Sequence, residues 1–333
     1  MTNSTILPRV AECQPLPDGR AALIHEVHTG LTGRPRSLSP WMFYDARGSD
    51  LFERITMLPE YYPCRIEREL LSRFAGDIIA LAQADSSKPL HLFELGAGTA
   101  TKTGILLAAA RQKHGRVTYA PCDVSPDALS VACSSIEEFL PDVQLQPVVG
   151  NYVTEPPRLA EDRGTTLAIY IGSSIGNFRP EAARVILGNL RSQMRSGDAL
   201  LLGTDLVKDQ ETLLAAYDDS QGVTAEFNLN ILRRLNRELG ADFDPAGFRH
   251  RVKWDAASAR IEMHLESRKA QCVWIPGARL RLEFEKGETI HTEDSHKFTT
   301  GSLRALLSGA GFRMEQIWTD PLHWYALTLA RPH

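Results

Sequence analysis

From residue 51 the apolar positions recur at helical spacing, stop at Leu58-Pro59-Glu60-Tyr61-Tyr62-Pro63, and resume over 65–82. Each proline disfavours a continuing helix, so the two bracket a non-helical corner that holds Tyr61 and Tyr62 on a stiff turn. Upstream, the stretch to Pro40 mixes Pro, Gly and polar residues and predicts an extended arm with one short helix around 21–28. Downstream, strand-like runs at 91–95, 117–123, 143–149, 166–171 and 199–203 alternate with helical periodicity at 101–112, 127–139 and 180–195. Strands of this length alternating with helices indicate βαβ units and a parallel sheet. After Asp209 the pattern changes: a helix-rich stretch over 210–238 ends at Gly240, and alternating segments follow at 260–265 and 280–284. This reads as an inserted second region. A helix over 301–311, with Ser302 as cap and Gly311 as stop, and a hairpin of 314–318 with 325–330 then return the chain to the first sheet.

Glu94-Leu95-Gly96-Ala97-Gly98-Thr99 falls where the first strand hands over to a helix, where glycines let the backbone turn sharply and approach a ligand. A dinucleotide fingerprint asks for a third small residue, and that position is Thr101, which weakens a nicotinamide oxidoreductase reading. An acid before the loop, Glu94, and an acid ending the second strand, Asp123, suit a nucleoside with a free ribose and an amino-acid tail, which suggests S-adenosylmethionine. The bland alternatives are a strand-end acid at Glu94 and a turn-former at Asp123. Gly172-Ser173-Ser174-Ile175-Gly176-Asn177 follows the fourth strand, at the carboxyl edge where open α/β sheets bind ligands. There Asn177 reads either as a ligand contact or as a helix cap before Pro180.

Composition narrows the setting. The 333 residues hold 37 Lys+Arg against 41 Asp+Glu, a net charge of −4, with 43% hydrophobic residues. The basic residues are dispersed, so no nucleic-acid partner is expected. Five scattered cysteines fit neither a disulfide framework nor a paired metal site, and reduced thiols in the cytoplasm are expected. No apolar run reaches the roughly 18–20 residues that cross a bilayer, and Met1 to Val10 lacks the pattern of a secretory leader. His291 and His296, five apart, give poor zinc spacing, so no metal is expected.

Trp41-Met42-Phe43-Tyr44-Asp45, the Leu58 to Pro63 corner, the Glu94 and Gly172 loops, Ala215-Ala216-Tyr217-Asp218-Asp219, Ala241-Asp242-Phe243-Asp244, Ile261-Glu262-Met263 and Thr292-Glu293-Asp294-Ser295-His296-Lys297-Phe298 follow one another along the chain. Together these segments resemble the bacterial L-histidine Nα-methyltransferases of ergothioneine biosynthesis, and the resemblance covers nearly the whole chain. The resemblance implies an α/β fold: a Rossmann-like class I S-adenosylmethionine-dependent methyltransferase domain over 66–207 plus 297–333. A substrate-binding domain over 1–65 plus 208–296 is built from the N-terminal arm and the insertion. By resemblance, Gly96, Lys102, Asp123, Asn151, Tyr152 and Gly172 line the site for S-adenosylmethionine, which leaves as S-adenosylhomocysteine. Relatives often carry Asp at the Asn151 position. Tyr61, Asn177 and Tyr217 match positions that hold the substrate's α-carboxylate and α-amine, all neutral groups, and Tyr44 matches one close to the methylated nitrogen. Tyr44 and Asn177 are thus the candidates for catalysis by steering. Glu293 and Ser295 match a pair that hydrogen-bonds the two imidazole nitrogens, with Met263 beneath the ring. Asp294 and His296 depart from the family pattern. The implied reaction is trimethylation of free L-histidine to hercynine by a monomer. Another amino acid such as tryptophan, or a non-catalytic S-adenosylmethionine sensor, remains as an alternative.

Overall fold

The computed structural model describes residues 19–83, 89–98, 100–160 and 164–333, so Cys13, Thr99 and the arm before residue 19 lie outside the described residues. The chain forms two compact units. One comprises Ile66–Leu206 and Phe298–His333; the other comprises residues 19–65 and Val207–Lys297, with residues 207 and 297 both in the second.

The first unit is built on an eight-stranded sheet. Its order runs Phe312–Thr319, Tyr325–Pro332, Ala199–Asp205, Thr165–Tyr170, Leu90–Leu95, Val117–Asp123 and Gln144–Leu145, with Val148–Val149 also paired to Val117–Asp123. Tyr325–Pro332 pairs antiparallel with both neighbours, and the remaining pairs are parallel. Leu90–Leu95 and Ala199–Asp205 are buried along their whole length, as expected for strands covered on both faces. The strand order reverses between Leu90–Leu95 and Thr165–Tyr170, which opens a crevice at their carboxyl ends. Helices Thr103–His114, Pro126–Phe139, Pro180–Ser192 and Thr300–Gly309 belong to this unit. Ser125 caps the second of these through the Ala128 N–H, with Pro126 in the first turn where a missing N–H leaves no bond unmade. The cap of Thr300–Gly309 is Thr299 rather than Ser302. Ser302 sits three residues on and completes a capping box, its hydroxyl taking the Thr299 N–H. The insertion leaves after Leu206 and the chain re-enters at Phe298, where these two residues form a parallel bridge.

The second unit carries a four-stranded sheet ordered Arg36–Ser37, Thr289–His296, Arg260–Ser267 and Phe248–Asp255, plus a ribbon of Gln271–Ile275 with Leu280–Phe284. The helical stretch expected over 210–238 is two helices, Gln210–Tyr217 and Val223–Leu239. Asp219 explains the break: its carboxylate accepts the N–H groups of Gln221, Val223 and Thr224, starting a new helix instead of continuing the old one. The Tyr61-Tyr62 corner is shorter than expected, since the helix Tyr62–Ala82 begins at the second tyrosine with Pro63 in its first turn.

One extra residue sorts the central strand of this sheet. Between His291 and Glu293 the register slips, so Thr292 bulges out and its hydroxyl donates to the Met263 carbonyl at 3.0 Å. Side chains opposite one another share a face. Glu293 stands opposite Met263 and Ser295 opposite Ile261, while His291, Asp294 and His296 fall on the other face with His264, Glu262 and Arg260.

Candidate active site

In the first unit the glycine loop is a tight cradle. Gly96 has φ +67°, and a Cβ there would stand 2.8 Å from the Tyr152 hydroxyl; Gly98 also lies in the left-handed region, with φ +52°. The Gly96 N–H donates to the Cys122 carbonyl at 2.8 Å, tying the loop to the end of the second strand. Asp123 ends that strand, partly buried. Burial raises its carboxyl although Oδ1 accepts the Ser125 N–H at 2.9 Å, so it is a turn-former as well as an acid on the crevice. Asn151 Oδ1 accepts the Val153 N–H at 3.1 Å, leaving its amide NH2 the group with no bond to a described residue.

Glu94 does not line the crevice as expected. Its carboxylate accepts from the Thr103 hydroxyl at 2.6 Å and from the Tyr119 hydroxyl, and burial pushes it up to about 7. A second acid, not singled out in the sequence, organises the loops instead. Glu67 is fully buried and pairs with the Lys102 ammonium, while its Oε1 accepts the Gly172 N–H at 2.8 Å and the Tyr325 hydroxyl at 2.6 Å. Lys102 and the Gly172 loop are therefore fixed by one carboxylate. The signal for Glu67 was its spacing, since it falls on the stripe of the buried Leu70 and Leu71. Asn177 ends a short 3-10 turn over Ser174–Asn177 in that loop. It caps no helix: the capping position before Pro180 is Arg179. The residues fit S-adenosylmethionine, with a glycine cradle that a Cβ would fill, an acid for a ribose and a fixed ammonium for an amino-acid carboxylate.

The second unit gathers Tyr44, Tyr61, Tyr217, Met263, Glu293 and Ser295. Tyr44, 47% exposed, packs edge-on against Phe52 and Phe227, each at 5.9 Å. The segment holding it is anchored by Asp45, which caps the helix Ala46–Thr56 through the Gly48 N–H and accepts from Asn230 at 2.8 Å and Arg237 at 2.7 Å. Tyr61 stacks edge-on against Tyr217 at 6.1 Å; burial, then the nearby Tyr217, Cys64 and Glu293, hold its phenol well above the usual range. The backbone carbonyl of Tyr217 accepts His250 Nε2–H at 2.8 Å, and His250 Nδ1 accepts from Asn228 at 2.8 Å. Burial holds His250 neutral, which is the form these two bonds require.

Beside the neutral Tyr217 and Ser295 hydroxyls stands a cation that the sequence reading did not single out. Lys297 is buried and donates to the Tyr217 hydroxyl and to the Ser295 hydroxyl, each at 2.8 Å. Its charge also reaches Glu293, whose carboxyl burial pushes up to about 7 against the pull of the ammonium. Glu293 takes no hydrogen bond from a described residue, and Met263, opposite it, is a buried apolar floor. Asp294 and His296 face away from this group: Asp294 pairs with His291 at 2.9 Å and Arg260 at 3.4 Å. Among the described residues, no group of three or more His, Cys, Asp or Glu is arranged to hold a metal, and no helix is long and apolar enough to cross a membrane. Cys64, Cys122, Cys133 and Cys272 form no disulfide among the described residues.

A doubly wound sheet of this order, with its glycine cradle and strand-ending acid on the carboxyl edge, defines a Rossmann-like S-adenosylmethionine-dependent methyltransferase. Within that class, the chain belongs to the histidine-specific, SAM-dependent methyltransferase family, whose model matches residues 23–332. It is 43% identical over 309 residues to a histidine N-alpha-methyltransferase of Mycolicibacterium smegmatis, covering 93% of this chain and 94% of that protein. A protein of the same name from Mycobacterium tuberculosis is 42% identical over 94% of this chain and 95% of its own length. More distantly, an L-tryptophan methyltransferase of Psilocybe serbica is 26% identical over 81% of each chain.

Proposed function

We propose that this enzyme methylates the α-nitrogen of free L-histidine three times, yielding hercynine for ergothioneine biosynthesis, and that it works as a cytoplasmic monomer. In this reading the unit around the parallel sheet binds S-adenosylmethionine through Gly96, Lys102, Asp123, Asn151, Tyr152 and Gly172. The other unit holds the amino acid. The observation that carries the reading is Glu293 and Ser295 on one face of a strand, Glu293 opposite the apolar Met263 and Ser295 bonded to Tyr217. Neutral imidazole offers one donor and one acceptor, and a carboxyl with a hydroxyl satisfies both. An indole has a single N–H, so tryptophan would leave a buried carboxyl partly unpaired at a cost of about 1–3 kcal/mol.

When bound, S-adenosylmethionine supplies a methyl carbon activated by its sulfonium. The residues of this chain then bind, aim and exclude water. Tyr217 and Tyr61 hold the α-carboxylate, and Tyr44 and Asn177 orient the α-amine so that its lone pair points along the line of displacement. A free α-amine is mostly protonated at neutral pH, so one proton must leave before each transfer, and orientation supplies much of the acceleration. After the third transfer the quaternary nitrogen has no N–H to donate to these residues, and product release follows from that loss.

The test is an end-point mass-spectrometric assay of the purified protein with S-adenosylmethionine and the twenty free amino acids. Histidine alone gaining three methyl groups is the expected result. Methylation of tryptophan or another amino acid instead would overturn the roles given to Glu293 and Ser295. Cofactor binding without transfer to any of them would leave a sensor as the better reading.

A further inference from the structure

Methyl transfer to histidine does not by itself call for Lys297, yet the residue is only 3% exposed and its ammonium lies where the Tyr217 and Ser295 hydroxyls meet. It donates to Tyr217 Oη and Ser295 Oγ, both at 2.8 Å, and those two oxygens are themselves 2.7 Å apart. Two hydroxyl oxygens at that separation need a proton between them, because facing lone pairs repel. Each oxygen also accepts from Lys297, and an ammonium has nothing to accept with. Of the two hydroxyl protons, one is therefore held inside the triangle and one points out of it.

We infer that Lys297 is a positioning residue that fixes both proton directions, so that Tyr217 donates to the substrate's carboxylate while Ser295 accepts from a ring N–H. The inference rests on the assignment of Tyr217 to the α-carboxylate and Ser295 to the imidazole. A carboxylate offers only acceptors, so the outward proton must come from Tyr217. The Ser295 proton then fills the gap to Tyr217 Oη, and Ser295 presents a lone pair to the ring. The ammonium, 4.6 Å from the centre of the Tyr217 ring, also adds the positive charge that favours an anionic group at the phenol. A side chain without a ring N–H finds no partner at Ser295, and the substrate class narrows to α-amino acids whose ring both donates and accepts.

Binding of L-histidine and of histamine, which lacks the carboxylate, is measured by calorimetry with S-adenosylhomocysteine present, for the native protein and for Lys297→Met. The native protein should prefer histidine, and the substitution should cut the histidine-to-histamine affinity ratio by about tenfold or more while S-adenosylhomocysteine affinity stays unchanged. A merely structural lysine would weaken both ligands alike, so an unchanged ratio overturns the inference. Failure of the native protein to bind histidine would instead overturn the proposed function. Should Lys297→Met not fold, the native protein supplies the answer with two five-membered rings. β-(Thiazol-4-yl)alanine, which has a ring nitrogen but no N–H, should bind about tenfold or more weaker than β-(1,2,4-triazol-3-yl)alanine, which keeps one. Equal affinities would show that Ser295 is not held as an acceptor.

Discussion

Glu293 and Glu94 are both carboxyls that burial pushes up to about 7, but their neighbours give them different work. Glu94 is clasped by the Thr103 and Tyr119 hydroxyls and serves the sheet; Glu293 has no such partner and stands open to a ligand. A ring whose single N–H is spent on Ser295 turns its bare nitrogen toward Glu293, which must then carry the proton. Above about pH 7 the ionised carboxylate would face that lone pair with nothing to share. The ratio of kcat/KM for native protein to that for Glu293→Gln should accordingly fall as pH rises past about 7, and a pH-independent ratio would remove Glu293 from the ring contact. Residues of this kind were legible because their types and order resemble a known family. Lys297 and Glu67 were not singled out. Each takes its meaning from partners far along the chain, Tyr217 80 residues before Lys297 and Tyr325 258 residues after Glu67, and local spacing carries no trace of such pairings.

Elements were legible where one face is apolar and the flanking residues stop the chain cleanly. Most sheet strands and the closing hairpin fall within a residue or two of their expected positions, because buried strands are short continuous apolar runs, but the single strand expected over 143–149 is two short ones, Gln144–Leu145 and Val148–Val149. The strand Phe248–Asp255 escaped notice: it alternates Phe248, His250, Val252 and Trp254 with Arg249, Arg251 and Lys253, and two of its inward positions are amphipathic aromatics. The two-helix break at Asp218 to Gly222 escaped too, since Asp219 acts through backbone N–H groups rather than through side-chain periodicity. One glycine shows how closely the elements of the first unit approach. A Cβ on Gly203 would lie 2.2 Å from Glu67 Oε1 and 2.9 Å from the Tyr325 hydroxyl. Gly203→Ala must displace the acid that holds Lys102 and Gly172. A destabilisation of about 2–4 kcal/mol by denaturant unfolding, together with weaker S-adenosylmethionine binding, is the expected outcome. Native-like stability would mean that Glu67 can move at little cost.

Stability against pH belongs to the whole chain, and opposing sets of acids shape it. Burial opposes ionisation of Asp219, but the N–H groups of Thr224, Val223 and Gln221 hold its carboxyl below the ordinary range, so its stabilisation is present at neutral pH and lost on acidification. Glu94 works the other way. Its folded value of about 7 lies above the ordinary 4.5, so its contribution is complete below 4.5 and disappears as pH rises through 7. The melting temperature should therefore be highest on the mildly acidic side and decline from about pH 5 to pH 8, a decline that Glu94→Gln should flatten. An unaltered slope in that variant would place the titration elsewhere.

The bulge at Thr292 has a consequence for how this protein can diverge. Because one inserted residue resets the alternation, positions 293 and 295 fall on the face of Met263 and Ile261, which the proposed function gives to the substrate ring, while 294 and 296 fall among the ion pairs of the opposite face. Acceptor choice and sheet cohesion are thus written on alternate letters of the same short word. Exchanges at the odd positions can retune the chemistry of the side chain being recognised without unpicking the charges behind it, whereas losing the bulge would swap the two vocabularies at a stroke.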